Sequence, residues 1–226
     1  MPRHRGRKSR TVQSVFHMFC EGEKTEPNYL NDYVSRRWNA VRKQKERGTQ
    51  YIDRVKVRDV LCVEDMEENT PIALVKAAID KQRRCPAGDV FWVVYDREAV
   101  NKYKEADHAK ARALADSNDI HIALSNVCFE VWLLLHKQKT CAAYDSYDDL
   151  ARRSKLKKHF KGYDKANRLD LTDEEICGAR DNARRMNEAT RKGANKGDEV
   201  PSRLNPYTGM PYLLDAIDAF IAEIAG

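Results

Sequence analysis

A chain of 226 residues that is 42% hydrophobic and 34% charged can fill the core of one medium domain, which excludes global disorder. It has no apolar run near the ~20 residues of a membrane span, and no apolar leader region follows its basic N-terminus. Six scattered cysteines without a Cys-x-x-Cys pair argue against a zinc knuckle and a disulfide scaffold, so a cytoplasmic protein with reduced thiols is expected.

In chain order, Thr11 to Phe19 alternates loosely and runs into the loop Cys20-Glu21-Gly22-Glu23, which predicts a first strand. Thr25 can cap a following helix with Pro27 in its first turn, and Tyr29, Leu30, Tyr33, Val34, Trp38 and Val41 recur at helical spacing. Ile52 to Val63 reads as a second strand, and Thr70-Pro71 opens a second helix with Leu74, Val75, Ala78 and Ile79 as its apolar positions. Asp89 to Tyr95 is a continuous apolar run, as expected of a strand buried on both faces. A charged helix from about Lys102 to Asp116 and a fourth strand at Ile120 to Leu124 follow. Ser125 or Asn126 can cap the next helix, which runs through His136. Four strand–helix alternations predict an α/β fold with a parallel sheet and helices on both faces.

Beyond Lys139 the pattern turns polar and helical, at Tyr147 to Lys155 and Asp173 to Lys192, with a loop from Gly193 to Pro206 and a last helix at Pro211 to Ala225. The expected division is a basic arm at 1–11, an acidic-site core at 12–140 and a C-terminal helical extension at 141–226.

The formal charge of +6 is unevenly spread. Arg3, Arg5, Arg7, Lys8 and Arg10 crowd the N-terminus. A second basic stretch holds Arg152, Arg153, Lys157 and Lys158, and a third, from Arg180 to Lys196, holds Arg184 and Arg185. Such clusters suit a phosphate backbone, whereas any one of them could be a solvated face. Lys24 could likewise meet a phosphate or be merely solvated.

Parallel strands all end at one edge, where such folds place their chemistry. The first exit offers Glu21, Glu23 and Glu26, the third Asp96 and Glu98, and the fourth Glu130 in the first turn of its helix. Glu64 and Asp65 leave the second strand and are expected to be solvated, as is Glu23. Clustered carboxylates repel, and a divalent cation offsets that cost; hard oxygen donors point to magnesium or manganese. The bland readings are a helix-dipole role for Glu130, worth about 0.3–1 kcal/mol, and an ordinary turn position for Glu98. His136, on an apolar helix face, is expected to be a satisfied core histidine.

The segment Cys20-Glu21-Gly22-Glu23-Lys24-Thr25-Glu26-Pro27-Asn28-Tyr29 resembles the opening signature of RloB-like proteins. Val94-Tyr95-Asp96-Arg97-Glu98 resembles their second acidic motif, and Ser125 to Trp132 with His136 their third. Tyr163-Asp164-Lys165 and Asn205-Pro206-Tyr207-Thr208 resemble later landmarks, so the likeness runs from about residue 12 to 214. It implies a Toprim-like core in which Glu21 is a metal ligand or general acid/base and Asp96 the first aspartate of an Asp-x-Asp pair. Glu98 stands where the second aspartate is usual; it is one methylene longer and can still ligate a metal. The resemblance further implies a magnesium-dependent nuclease of antiviral or abortive-infection defence, with Glu21, Asp96, Glu98 and Glu130 catalytic, acting on DNA or RNA beside an ATPase partner. The competing expectation is a non-catalytic nucleic-acid-binding or scaffold partner of an ATPase complex.

Overall fold

The computed structural model describes residues 13–44, 56–64, 66, 70–164 and 169–225; the basic arm at 1–11 and Asp65 lie outside them. Five strands, β1 (Phe16–Cys20), β2 (Leu61–Glu64), β3 (Val90–Asp96), β4 (His121–Asn126) and β5 (Tyr207–Thr208), form one sheet in the order β2-β1-β3-β4-β5. The first four are parallel, and β5 runs antiparallel to β4, with Asn126 opposite Tyr207.

Side chains alternate across the central strands and divide the core in two. Phe16, Met18, Cys20, Trp92, Val94 and Ala123 face one apolar layer; Phe19, Phe91, Val93, Tyr95, Ile122 and Leu124 face the other. The first layer is closed by α1 (Thr25–Gln44), α4 (Glu130–Lys137), α7 (Asp173–Gly193) and α8 (Met210–Ala225). The second is closed by α2 (Pro71–Gln82) and α3 (Glu105–Asp116). Double-sided burial explains the unbroken apolar run of β3, because neither of its faces meets water. On α4, Trp132, Leu133, Leu134 and Leu135 are all fully buried, and each such leucine contributes roughly 1.5–3 kcal/mol of transfer free energy.

Helix starts follow side-chain chemistry. Thr70 accepts from the Ala73 amide with Pro71 at the first helical position of α2. Thr172 and Glu175 form a reciprocal capping box at α7. The region beyond residue 140 also holds α5 (Tyr147–Arg153) and α6 (Leu156–His159). It is woven into the sheet domain: it supplies β5, and Leu150, Leu156, Met186 and Leu213 share the first apolar layer. Asp218 of α8 accepts from Tyr33 and Arg37 of α1 and from Arg180 of α7, at 2.7, 2.7 and 2.8 Å.

The structure corrects several expectations. Ser125 and Asn126 do not cap α4; they are the last residues of β4. The Ser125 hydroxyl bonds Thr208 Oγ1 at 2.9 Å, and the Asn126 amide donates to the Leu204 carbonyl at 2.8 Å. These partners come from a distant segment, so sheet extension prevails over local capping chemistry. The described part of the second strand is Leu61–Glu64, preceded by a 3₁₀ turn at Val57–Asp59; residues 51–55 lie outside the described chain. α3 begins at Glu105, which leaves Lys102 in the preceding turn with its amide bonded to the Ala99 carbonyl. β5 falls where the sequence pattern suggests no strand. It is two residues long and closes on Gly209, where a Cβ would lie 2.8 Å from the Ala123 Cα, so only glycine lets the chain pass the sheet there.

Candidate functional site

The exits of β1 and β3 meet. The Glu21 amide donates to the Val94 carbonyl at 2.9 Å, and the Asp96 amide donates to Glu21 Oε2 at 2.8 Å. Two residues on, Glu98 adopts a left-handed backbone with φ 60°, a conformation costing an L side chain of order 1–2 kcal/mol. It is held there because its amide donates to the Val127 carbonyl at 2.8 Å, while the Arg97 amide donates to the Ser125 carbonyl at 2.7 Å. Those bonds fix the β3 exit against the β4 exit, whose chain then turns into α4 with Glu130 fully buried at its first position. The Tyr163 hydroxyl donates to Glu130 Oε1 at 3.0 Å.

Glu26, in the first turn of α1, joins the group. A Cβ on Gly22 would overlap Glu26 Oε2, so the carboxylate folds directly over the glycine backbone. Glu21, Glu26 and Asp96 are buried, Glu23 and Lys24 are exposed, and all of them with Glu98 and Lys102 line an open cleft of about 280 Å³. Glu98 also borders a larger neighbouring cleft of about 690 Å³, which Arg97, Tyr144, Asn195 and Arg203 help to line.

The electrostatics are those of crowded, desolvated acids. Burial holds the Asp96 carboxyl well above the usual carboxylate range, and the charges of Glu26, Glu130, Glu21 and Glu98 push it the same way. Burial also raises Glu21, opposed by the Asp96 amide and by Lys102. Lys102 Nζ lies 2.6 Å from Glu98 and 3.5 Å from Glu21. Burial works to lower the Lys102 pKa, but the bond to Glu98 and the charge of Glu21 raise it overall. Cys20 and Cys128 border the cluster; burial, then Glu26 for one and Glu130 for the other, pushes both thiols up. Neutral thiols are poor nucleophiles, so the chemistry available here belongs to carboxylates.

The structure thus brings Glu21, Asp96, Glu98 and Glu130 together, and it adds Glu26, Lys102, Tyr103 and Tyr163 around them. The Tyr103 hydroxyl lies 3.5 Å from Glu21 Oε1. The sequence counts Glu26 among the first exit's acids without placing it in the site; its signal is the dense run Glu21-Gly22-Glu23-Lys24-Thr25-Glu26. Lys102 carries no such signal, because its charge pattern reads as part of a helix.

The donors here are of the chemical type a divalent cation takes. The ligands are hard oxygens, and the Lys102 ammonium already bridges Glu21 and Glu98 as a cation would. The acids are not drawn tightly together, however. Among the described residues, three different metal-ligating groups fall within 4.8 Å of one another only at His17, with Cys85 and Asp89 or with Cys62 and Glu64. Both groups could hold a metal ion. Glu64 is therefore no solvated loop acid, since its carboxylate binds His17 Nδ1 at 2.6 Å and Lys81 at 3.2 Å.

His136 is a core histidine. Its Nδ1 bonds the Trp132 carbonyl and its Nε2 the Tyr29 hydroxyl, each at 3.0 Å, and burial pushes its pKa down to about 4.

The basic residues differ among themselves. Arg152 and Arg153 of α5 both bind Asp149, and Arg184 of α7 binds Asp215 of α8. Lys157 and Lys158 of α6 and Arg185 of α7 are exposed. Lys165 lies outside the described residues.

No helix among the described residues is long and apolar enough to cross a membrane. No significant match was found among curated proteins or among solved structures. The model of one protein family, described as RloB-like protein, matches residues 16–217. That span takes in every acid of the cleft, all five strands and most of the chain, so the chain belongs to the RloB-like family.

Proposed function

We propose that the chain is a Toprim-type, metal-dependent nuclease acting on DNA or RNA, in antiviral defence and beside an ATPase partner. One observation supports this above the others: Asp96 sits buried among four further carboxylates delivered by three strand exits, an arrangement that costs stability unless a cation offsets it. Glu21, Asp96 and Glu98 are the residues that would hold magnesium or manganese. When bound, such an ion neutralises a phosphodiester and activates water for attack.

The Glu21 carboxylate is held by the Asp96 amide and the Glu21 backbone by the Val94 carbonyl, so Glu21 would orient whatever it binds without rearrangement. Glu130, buried beside the cluster and bonded by the Tyr163 hydroxyl, would serve as the group that accepts or returns a proton. Lys102, freed from Glu98, can pair with phosphate oxygens crossing the open cleft. Glu98 in place of the usual aspartate carries its carboxylate one methylene further out.

A second reading, a non-catalytic nucleic-acid-binding or scaffold partner, is favoured by the spread of the acids, which form no tight ligand group among the described residues. The deciding experiment supplies DNA, total RNA and tRNA with magnesium or manganese, with and without the ATPase, to wild type, Glu21→Gln and Asp96→Asn. Cleavage that needs the cation and falls roughly 10²–10⁴-fold in Glu21→Gln supports the nuclease. Full activity in both variants removes these residues from the mechanism. Inactivity of all three proteins, with normal complex assembly, favours the scaffold.

A further inference from the structure

His17 stands on β1 three residues before the acidic cleft's edge of the sheet, and it is buried at 4% exposure. Its ring stacks on Phe91 with centroids 4.8 Å apart and planes 10° from parallel, which fixes its orientation. Each ring nitrogen meets a different set of groups. Nδ1 faces Glu64 Oε1 at 2.6 Å. Nε2 faces Asp89 Oδ2 at 3.3 Å and Cys85 Sγ at 3.8 Å. Asp89, whose side chain is only 2% exposed, is itself fixed by the Val15 amide at 2.9 Å.

We propose that His17 Nε2, Cys85 Sγ and Asp89 Oδ2 form a zinc site, with Glu64 accepting from His17 Nδ1 and a water completing the coordination. The distances carry this assignment. A tetrahedral ion about 2.0 Å from nitrogen and oxygen and about 2.3 Å from sulfur needs an N···O edge of about 3.3 Å and an N···S edge of about 3.5 Å. The two edges from His17 Nε2, at 3.3 Å to Asp89 Oδ2 and 3.8 Å to Cys85 Sγ, stand near those values, and all three atoms lie within 4.8 Å of one another. The mixed nitrogen, sulfur and oxygen donor set suits zinc and is poorly suited to magnesium. A carboxylate on the far ring nitrogen fixes the tautomer that presents Nε2 to a metal. Cys62, although near Glu64 and His17, lies with the group on the Nδ1 side.

The site joins β1 to the turn between α2 and β3, with β2 bracing it through Glu64. It occupies the opposite end of β1 and β3 from Glu21 and Asp96, so its role is to fasten the sheet. No Cys-x-x-Cys pair marks it, because its ligands come from positions 17, 85 and 89.

The test strips the full chain of metal under reducing conditions, then titrates it with zinc and, separately, cobalt, in excess magnesium to occupy the acidic cleft. The expected result is one equivalent of zinc per chain and a thiolate-to-cobalt charge-transfer band in wild type, Asp96→Asn and Cys62→Ser. Both should be lost in Cys85→Ser, and Glu64→Gln should weaken zinc binding roughly 10–100-fold. Circular dichroism checks that each variant is folded, and the wild-type titration stands even if one variant is not. A wild type that takes up no zinc, or a band that survives Cys85→Ser or disappears with Cys62→Ser, overturns the site. Zinc uptake lost in Asp96→Asn would place the ion at the acidic cleft and overturn it equally.

Discussion

The backbone amide of Asp96 donates to the side chain of Glu21 at 2.8 Å, so two residues 75 positions apart are positioned by one another at adjacent strand exits. Glu21 Oε2 is thereby occupied, which leaves Oε1 as the oxygen turned towards Lys102 and Tyr103. Asp96, by contrast, meets mainly like charge.

Asp96→Asn should therefore raise the stability of the metal-free protein, because the amide keeps the shape and removes the charge that Glu26, Glu130, Glu21 and Glu98 repel. A gain of about 1–2 kcal/mol corresponds to roughly 2–8 °C in melting temperature for a chain of this size. The same variant should lose the stabilisation that magnesium gives to wild type. Thermal melts with a chelator and with magnesium measure both effects, and an unchanged chelated melt would show that the acids are already compensated.

Lys102→Met should strengthen divalent-ion binding. The ammonium bridges Glu21 and Glu98 and must be displaced by any ion using those oxygens. Its removal should tighten manganese binding several-fold in calorimetry while lowering metal-free stability. Weaker binding in the variant would make Lys102 a support for the site instead of a competitor.

Gly22→Ala tests Glu26. A methyl at residue 22 collides with the Glu26 carboxylate, and the flexible end of that side chain can swing away at little cost in folding. Manganese affinity should fall with less than about 1 kcal/mol of destabilisation, as expected when no core packing is disturbed. If affinity holds, Glu26 only crowds Asp96.

Nucleic-acid affinity should depend steeply on salt. Replacing Lys157, Lys158 and Arg185 by glutamine should lower the slope of log affinity against log salt by roughly 0.7–0.9 for each phosphate left without its cation. Arg184 should add to this despite its acidic partner, since an exposed ion pair is worth only ~0–1 kcal/mol, whereas Arg152 and Arg153, which share the buried Asp149, should add less. Filter binding at several salt concentrations measures the slope, and an unchanged slope would mark these residues as solvated surface.

Acid should destabilise the fold through His136. Burial pushes its pKa down to about 4, so the unfolded chain binds the proton first, near pH ~6.5. Stability from the neutral ring is then complete above about pH 6.5 and is lost as pH falls towards 4, by up to about 3 kcal/mol. His108 shifts the same way, to about 4, through burial and Arg97. The informative quantity is thus the difference between wild type and His136→Gln, whose melting temperature should vary less over that window. Parallel curves would mean that His136 contributes no acid sensitivity.

The sequence by itself determined the four parallel strands and the helices between them, because hydrophobic periodicity is a local record of which face is buried. It also marked Glu21, Asp96, Glu98 and Glu130, since each follows a recognisable strand and parallel strands share an edge. Only the tertiary structure decided the rest. Asn126 belongs to the sheet and not to its helix because Leu204 and Tyr207 arrive from far along the chain. Lys102 enters the cleft because its helix starts three residues later than its charge pattern suggests. Glu64 is the partner of His17 because strand pairing sets Phe19 beside Glu64. Such pairings join positions tens of residues apart, and local periodicity holds no information about which distant group supplies the hydrogen bond or the charge.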